Sequence, residues 1–333
     1  MSTTSWSQTF ADRQTLNILQ TVISSLSIFG SLTIIITYFL FQDLQSTARK
    51  FLVYISIGDF FTVFPYLITA WVEHKNDSVN CKVQSFVTTT AVMWSFFWTS
   101  ALAIYLYLVI VRKSQERAEK LMPYFHVINW GLPLALLGAA LENGMLGSGE
   151  SKDSGGWCWI TLTLGRRKAI WWMLACGKFW EILSYFVDVV LCFIVSRKIK
   201  AEVAERHGLS SESTQAAIQG KRKLIWAPVL FVLLRIWGTI RFLLFCFLPH
   251  RSKNYLIEKI LIVCHIIGDS SQGSVYFILF CLCTPKFREN VRKMLCSSQK
   301  KKSVRIERKG RPSSSKEEHK YLLQNPENIV FYT

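Results

Sequence analysis

Seven stretches of this 333-residue chain are each long and apolar enough to cross a lipid bilayer, and nothing else in the sequence constrains the fold as strongly. Crossing the hydrocarbon takes about 20 mostly apolar residues in a helix. The stretches run over 17–41, 51–72, 83–111, 123–141, 169–195, 224–248 and 256–283, and together they hold 175 residues. Soluble helices of this kind would have no polar face to turn to water. Strands of a membrane barrel would instead alternate strictly over about 10 residues. The expected fold is an all-α membrane protein, a seven-transmembrane helix bundle. The fourth span is the shortest and carries Gly131, Pro133 and Gly138, which membrane helices tolerate. Before the first span there is one acid, Asp12, and one base, Arg13, with no basic leader region, so this span is expected to be retained and not cleaved as a signal peptide.

The charge sets the orientation. The chain carries a net +17 although only 18% of its residues are charged. With the N-terminus outside, the cytosolic pieces 42–50, 112–122, 196–223 and 284–333 hold 26 Lys and Arg against 11 Asp and Glu. The outer pieces hold 9 against 6, and the spans 4 against 5. Excess base on the inner loops specifies N-out and C-in. A nucleic-acid binder would show this basicity on a folded soluble face, so no nucleic-acid partner is expected. The expected domains are a short extracellular N-terminus over 1–16, the bundle over 17–283, an amphipathic membrane-surface helix over 284–296 and a disordered basic tail over 297–333.

Nine cysteines are present, and most fall within spans, where they read as small buried residues. Cys81 and Cys158 are the two in the outer loops, on the oxidising side, and are expected to pair. Asn76-Asp77-Ser78 matches the glycosylation pattern but lies close to two spans, and its use is not expected.

Charges inside the membrane are costly and mark functional sites by default. Asp59 and Asp269 each lie 13 residues from the outer end of their span, which places them at one depth and makes them a candidate ion or proton site. Span 5 carries Lys178 and Glu181, three apart and on one helix face, and then Asp188 deeper on that face. Span 6 carries Arg235 and Arg241 at a comparable depth. The expectation is an intramembrane polar cluster of Lys178, Glu181, Asp188, Arg235 and Arg241. It would serve as a floor for a ligand or as a lock between spans 5 and 6, the alternative being a static ion pair.

On the cytosolic side, Phe287, Val291, Met294 and Leu295 share one face of a helix that opens near Pro285, with Lys and Arg opposite. Cys296 is a palmitoylation candidate. Lys300–Lys302 and the run Arg305–Arg311 would rest on anionic inner-leaflet lipid. Arg112, Lys113, Lys221, Arg222, Lys223, Lys286 and Arg288 form a basic rim suited to a cytosolic protein. No Walker loop, HExxH or nucleophile elbow occurs, so neither an enzyme nor a cofactor is expected. His126 and His265 are the histidines within spans, and neither is read as having a carboxylate at ligand spacing, so no metal is expected. No repeat relates the two halves, which weakens the alternative of a transporter or channel.

Trp130-Gly131-Leu132-Pro133 in span 4, Cys158-Trp159 in the outer loop and Gln272-Gly273 in span 7 resemble the marks of secretin-type G-protein-coupled receptors. Phe96-Phe97-Trp98-Thr99, Ile104–Leu108, Gly156–Ile160, Gly177-Lys178-x-Trp180-Glu181 and Arg235-x-Trp237 narrow the likeness to a small group between secretin receptors and the slime-mould cyclic-AMP receptors. The rhodopsin-type Asp/Glu-Arg-Tyr and Asn-Pro-x-x-Tyr motifs do not occur. The resemblance implies a multi-pass plasma-membrane receptor that signals to a heterotrimeric G protein by movement of span 6, with an extracellular ligand not yet known. Two departures matter. Secretin receptors have a large cystine-rich outer domain, whereas here 16 residues without Cys stand before span 1, so a ligand is expected to meet the bundle and outer loops. The family's Pro-x-x-Gly hinge is incomplete, since Pro228 is followed by Val229, Leu230 and Phe231.

Overall fold

Apolar side chains dominate the surface of the helices: Phe29, Phe39, Phe186 and Val127 are all more than half exposed. That is the surface a bilayer covers, and it would be an aggregation hazard in water. The computed structural model describes residues 3–69, 71, 78–148, 158–163, 165–205, 212–247, 255–294 and 296. Span 1 is Thr3–Leu40, span 2 is Thr47–Thr69, and span 3 is Val79–Leu106 continued by a wide π-type turn, Tyr107–Val111. Span 4 is Met122–Glu142. Span 5 runs from Arg166 to Met173, through a π-type turn at Leu174–Lys178, and on from Phe179 to Glu205. Span 6 is Glu212–Phe247, and span 7 is Tyr255–Phe277 with a third wide turn at Ile278–Leu282.

Among the described residues, six helices are by themselves long and apolar enough to cross a membrane. Span 7 reaches that standard when taken with the helix Pro285–Met294 that follows it in sequence. Its own apolarity is diluted by His265, Asp269, Ser270, Ser271, Gln272 and Ser274.

The helices extend beyond the apolar stretches. Span 5 continues about three turns past residue 195, and span 6 begins before 224, so Arg197, Lys198, Lys200 and the backbone of Lys221–Lys223 are helical and not loop. Lys, Arg, Glu and Ala supply the reason, since all are strong helix formers. The inner loop after span 3 likewise contains a short helix, Gln115–Lys120, closed by a Lys120–Glu116 pair at 2.6 Å.

Span 3 lies in the middle, packed on spans 2, 4, 5 and 6, while spans 1, 2, 6 and 7 close the rest of the ring. One apolar cluster joins Met93 and Phe96 of span 3, Leu137 of span 4, Met173 of span 5 and Phe231 and Phe242 of span 6. Spans 1 and 7 pack tightly at Gly273, where a Cβ atom would clash with Ser31 Oγ. There the Gly273 N–H donates to Ser27 Oγ at 3.0 Å.

One feature was not expected in an all-α reading. Strands β1 (Leu146–Ser148) and β2 (Cys158–Ile160) pair antiparallel in the outer loop, with Ser148 opposite Cys158 and Leu146 opposite Ile160. Gly144 turns the chain from span 4 toward β1 with φ +65. Met145, Leu146 and Ile160 are buried in the cluster above, so the hairpin is anchored by apolar packing as well as by its ladder.

Residues 284–333 form a unit of their own. Within it the helix Pro285–Met294 exposes Lys286, Arg288, Arg292 and Lys293. Lys293 lies 2.7 Å from Glu289, and this hydrogen-bonded ammonium holds the Glu289 carboxyl below its ordinary pKa.

Candidate functional site

The outer end of the bundle is covalently capped. Cys81 and Cys158 are bonded, with 5.4 Å between their Cα atoms and 77 residues between them in sequence. Both are buried. Ser78 caps the start of span 3 by accepting from the Cys81 N–H at 3.3 Å. One turn further, the Ser85 hydroxyl donates to the Trp159 carbonyl at 2.5 Å. The bond and this contact seat β2 on span 3. Arg166 at the start of span 5 donates to the Phe245 carbonyl near the end of span 6, and its guanidinium lies 5.0 Å from the Phe245 ring centre.

Beneath this cap two polar groups fill the centre. The first is built on span 5. Lys178 donates to Glu181 at 2.6 Å, the Tyr185 hydroxyl donates to the other Glu181 oxygen, and Thr239 of span 6 donates to that same oxygen at 3.3 Å. The π-type turn at Leu174–Lys178 positions the lysine. Three consecutive residues there, Cys176, Gly177 and Lys178, are all buried. A regular α-helix turns 100° per residue and would send one of them outward, whereas the extra residue in a π-bulge lets all three face in.

The second group is a chain across spans 6, 7, 3 and 2. Arg241 contacts His265 Nδ1 at 2.8 Å, and His265 Nε2 contacts Asp269 at 3.1 Å. An arginine can only donate, so Nδ1 accepts and the ring proton on Nε2 is given to Asp269. Asp269 then faces Arg235 at 3.7 Å. Arg235 donates to Gln272 at 3.4 Å, Gln272 donates to Ser95 at 2.9 Å, and Ser95 donates to Asp59 at 2.7 Å. Every span of the bundle except 1 and 4 contributes a side chain to one group or the other.

The structure thus rearranges the expected cluster. Arg235 is paired with Asp269 of span 7 and does not contact Glu181, although Glu181 and Asp59 remain within its electrostatic reach. Glu181 turns to Lys178 and Thr239. Arg241 is engaged with His265. Asp188 lies apart from all of them, because seven residues along a helix keep the face but add about 10 Å of depth. Asp59 and Asp269 are not in direct contact but are linked through Ser95, Gln272 and Arg235. His265 does have a carboxylate at helical spacing, Asp269 four residues on, and the two are in contact.

Ser95, Tyr185, Thr239, His265 and the bridging use of Gln272 escaped sequence reasoning. Serine, threonine and glutamine are common in membrane helices, and only their depth and facing select these few. For His265 the i, i+4 spacing to Asp269 was a usable signal.

At the inner face Arg112, Lys113 and Arg222 are exposed. Lys223 is not a free rim cation: its ammonium donates to the Cys283 carbonyl at the end of span 7. Cys296 is exposed. Asn76, the Lys221 side chain and 297–333 lie outside the described residues.

The motif residues have identifiable roles. Trp130 donates to His126 at 3.2 Å and its carbonyl accepts from Trp94 at 3.3 Å, within an aromatic group that includes Trp98 and Tyr54. Pro133 is buried inside span 4, while Gly131 faces open space. Gln272 and Gly273 form the polar bridge and the close contact already described.

The comparisons agree with this architecture. Residues 13–276 match the family model described as 7 transmembrane receptor (Secretin family). The chain is 34% identical to G-protein coupled receptor 157 of Mus musculus over 82% of this chain and 83% of that one. It is 35% identical to G-protein coupled receptor 157 of Homo sapiens over 79% of each. G-protein coupled receptor 1 of Arabidopsis thaliana is 27% identical over 70% of this chain and 68% of that one. Among solved structures, squid rhodopsin superposes with a TM-score of 0.62 at 18% identity, covering 86% of both chains, which shows a shared fold. A disulfide-capped bundle with these motifs in these spans, matched by that model over most of its length, belongs to the secretin family of seven-transmembrane receptors and is a multi-pass plasma-membrane protein.

Proposed function

We propose that this receptor passes an extracellular or constitutive signal to a heterotrimeric G protein by movement of span 6. One observation carries the reading: span 6 is held on both sides by polar contacts that a small displacement can exchange. Thr239 ties it to Glu181 of span 5, and Arg235 ties it to Asp269 and Gln272 of span 7. Lys223 ties its inner end to the Cys283 carbonyl. Such contacts favour one packing without making the alternative inaccessible, which a two-state switch requires. Pro228 inside the helix removes one backbone hydrogen bond and provides a place to bend.

A ligand would enter from the outer end, meeting Arg241 and His265 first and Lys178 and Asp269 below them. Arg112, Lys113, Lys221, Arg222, Lys286 and Arg288 would face the G protein, joined by Lys223 once its contact with Cys283 opens. Cys296 would carry an acyl chain beside anionic inner-leaflet lipid. The names of the mammalian relatives are consistent with G-protein coupling. The test is G-protein activation by the expressed receptor, measured G-protein family by family, with the inner-face basic residues intact or neutralised. Coupling that falls on neutralisation supports the proposal, and no coupling to any family overturns it.

A further inference from the structure

We propose that Asp188 and Ser100 form a binding site for a monovalent cation in the cytosolic half of the bundle. Asp188 of span 5 has no solvent exposure. The Ser100 hydroxyl of span 3 lies beside its carboxyl group. Even so, among the described residues neither carboxylate oxygen nor the Ser100 oxygen has an aligned hydrogen bond. Polar side chains this deeply buried are nearly always paired, and an ionised carboxylate without a counter-charge is among the costliest groups to bury.

Three other acids of the bundle core each have a hydrogen-bonding or charged partner. Glu181 has Lys178 at 2.6 Å. Asp269 has Arg235 at 3.7 Å and His265 at 3.1 Å. Asp59 accepts from Ser95 and lies in the field of Arg235. Cys192, one turn further along span 5, and the Tyr276 phenol of span 7 feel the charge of Asp188, and neither is a cation. The spans carry one more acid than base, and Asp188 is the one whose two carboxylate oxygens both lack an aligned hydrogen bond among the described residues.

A single positive charge closes the balance. A divalent ion is poorly matched: it favours several carboxylates, and among the described residues no three His, Cys, Asp or Glu side chains gather to hold one. The carboxylate and hydroxyl oxygens are hard donors suited to sodium or potassium. Entry is from the cytosolic side, since Lys178, Arg235 and Arg241 above would repel a cation coming from outside. Once bound, the ion would tie span 5 to span 3.

The test uses the purified full-length receptor in lipid nanodiscs. Thermal unfolding is followed while sodium or potassium chloride replaces N-methyl-D-glucamine chloride at constant ionic strength. The expected result is a saturable rise of about 5 °C with either small cation. Asp188→Asn, which keeps the shape, should unfold at one temperature in all three salts. Ser100→Ala should need roughly tenfold more cation for the same rise, the loss of one ligand. No difference between salts in the unmodified receptor overturns the proposal and leaves the carboxyl protonated instead. A full response in Asp188→Asn overturns it too. Should Asp188→Asn fail to fold, an unchanged cation affinity in Ser100→Ala decides against it. No G protein enters the measurement, so this inference and the signalling proposal stand or fall separately.

Discussion

Arg235 of span 6 faces Asp269 of span 7 across 3.7 Å in the centre of the bundle, the arginine side chain 2% exposed and the aspartate 15%. Arg235 thus pairs with Asp269 and not with Glu181. Removing one member of a buried pair strands the other and costs about 3–5 kcal/mol. Arg235→Ala and Asp269→Ala should therefore each lower the thermal unfolding temperature sharply. Exchanging the two, Arg235→Asp with Asp269→Arg, should recover part of the loss. Exchanging Arg235 with Glu181 should recover none. Surface expression and thermal unfolding of the four variants would check this, and rescue by the Glu181 exchange would sink it.

The disulfide closes 77 residues. In the chain-entropy model a loop of that length adds roughly 4 kcal/mol of stability. Cys81→Ser, Cys158→Ser and the double variant should lose the same amount, because one bond is removed in each case. A double variant distinctly less stable than either single one would show that the cysteines contribute separately.

Two glycines should respond oppositely to alanine. At Gly273 the new methyl carbon meets Ser31 and the Ser27 carbonyl, so overpacking of about 1–3 kcal/mol is expected. At Gly131 nothing lies within 4 Å. There alanine should be neutral or should stabilise span 4 by up to about 1 kcal/mol. Thermal unfolding of both variants in detergent separates the cases.

Lys223 ties the inner ends of spans 6 and 7. Lys223→Met removes the donor and keeps most of the apolar stem, and basal G-protein activation should rise severalfold, about 1 kcal/mol of a two-state balance. Lys223→Arg can still donate and should stay near the unmodified level. A fall in basal activity in Lys223→Met would mean that the lysine acts first on the G protein.

The spans, their orientation and the cysteine pair were legible in the residues, because each follows from a local property: run length, loop charge, and which side of the membrane a thiol faces. The depth of Asp59, Glu181, Arg235 and Asp269 could also be counted along the helices. Their partners could not. Depth leaves the rotation of each helix open, and with it the choice between Glu181 and Asp269 as the partner of Arg235. That rotation was decided by long-range packing: the close approach at Gly273, the cluster around Phe96 and Phe231, and the disulfide over span 3. The π-type turn that brings Lys178 inward likewise has no signature in composition, and the buried ion pair it permits forms only in the folded bundle. So the chain's own chemistry determined that it enters a membrane as seven helices with the basic side inside. Only the tertiary structure decided which buried charges meet, and it set the Asp188 carboxyl beside Ser100 with no aligned hydrogen bond among the described residues.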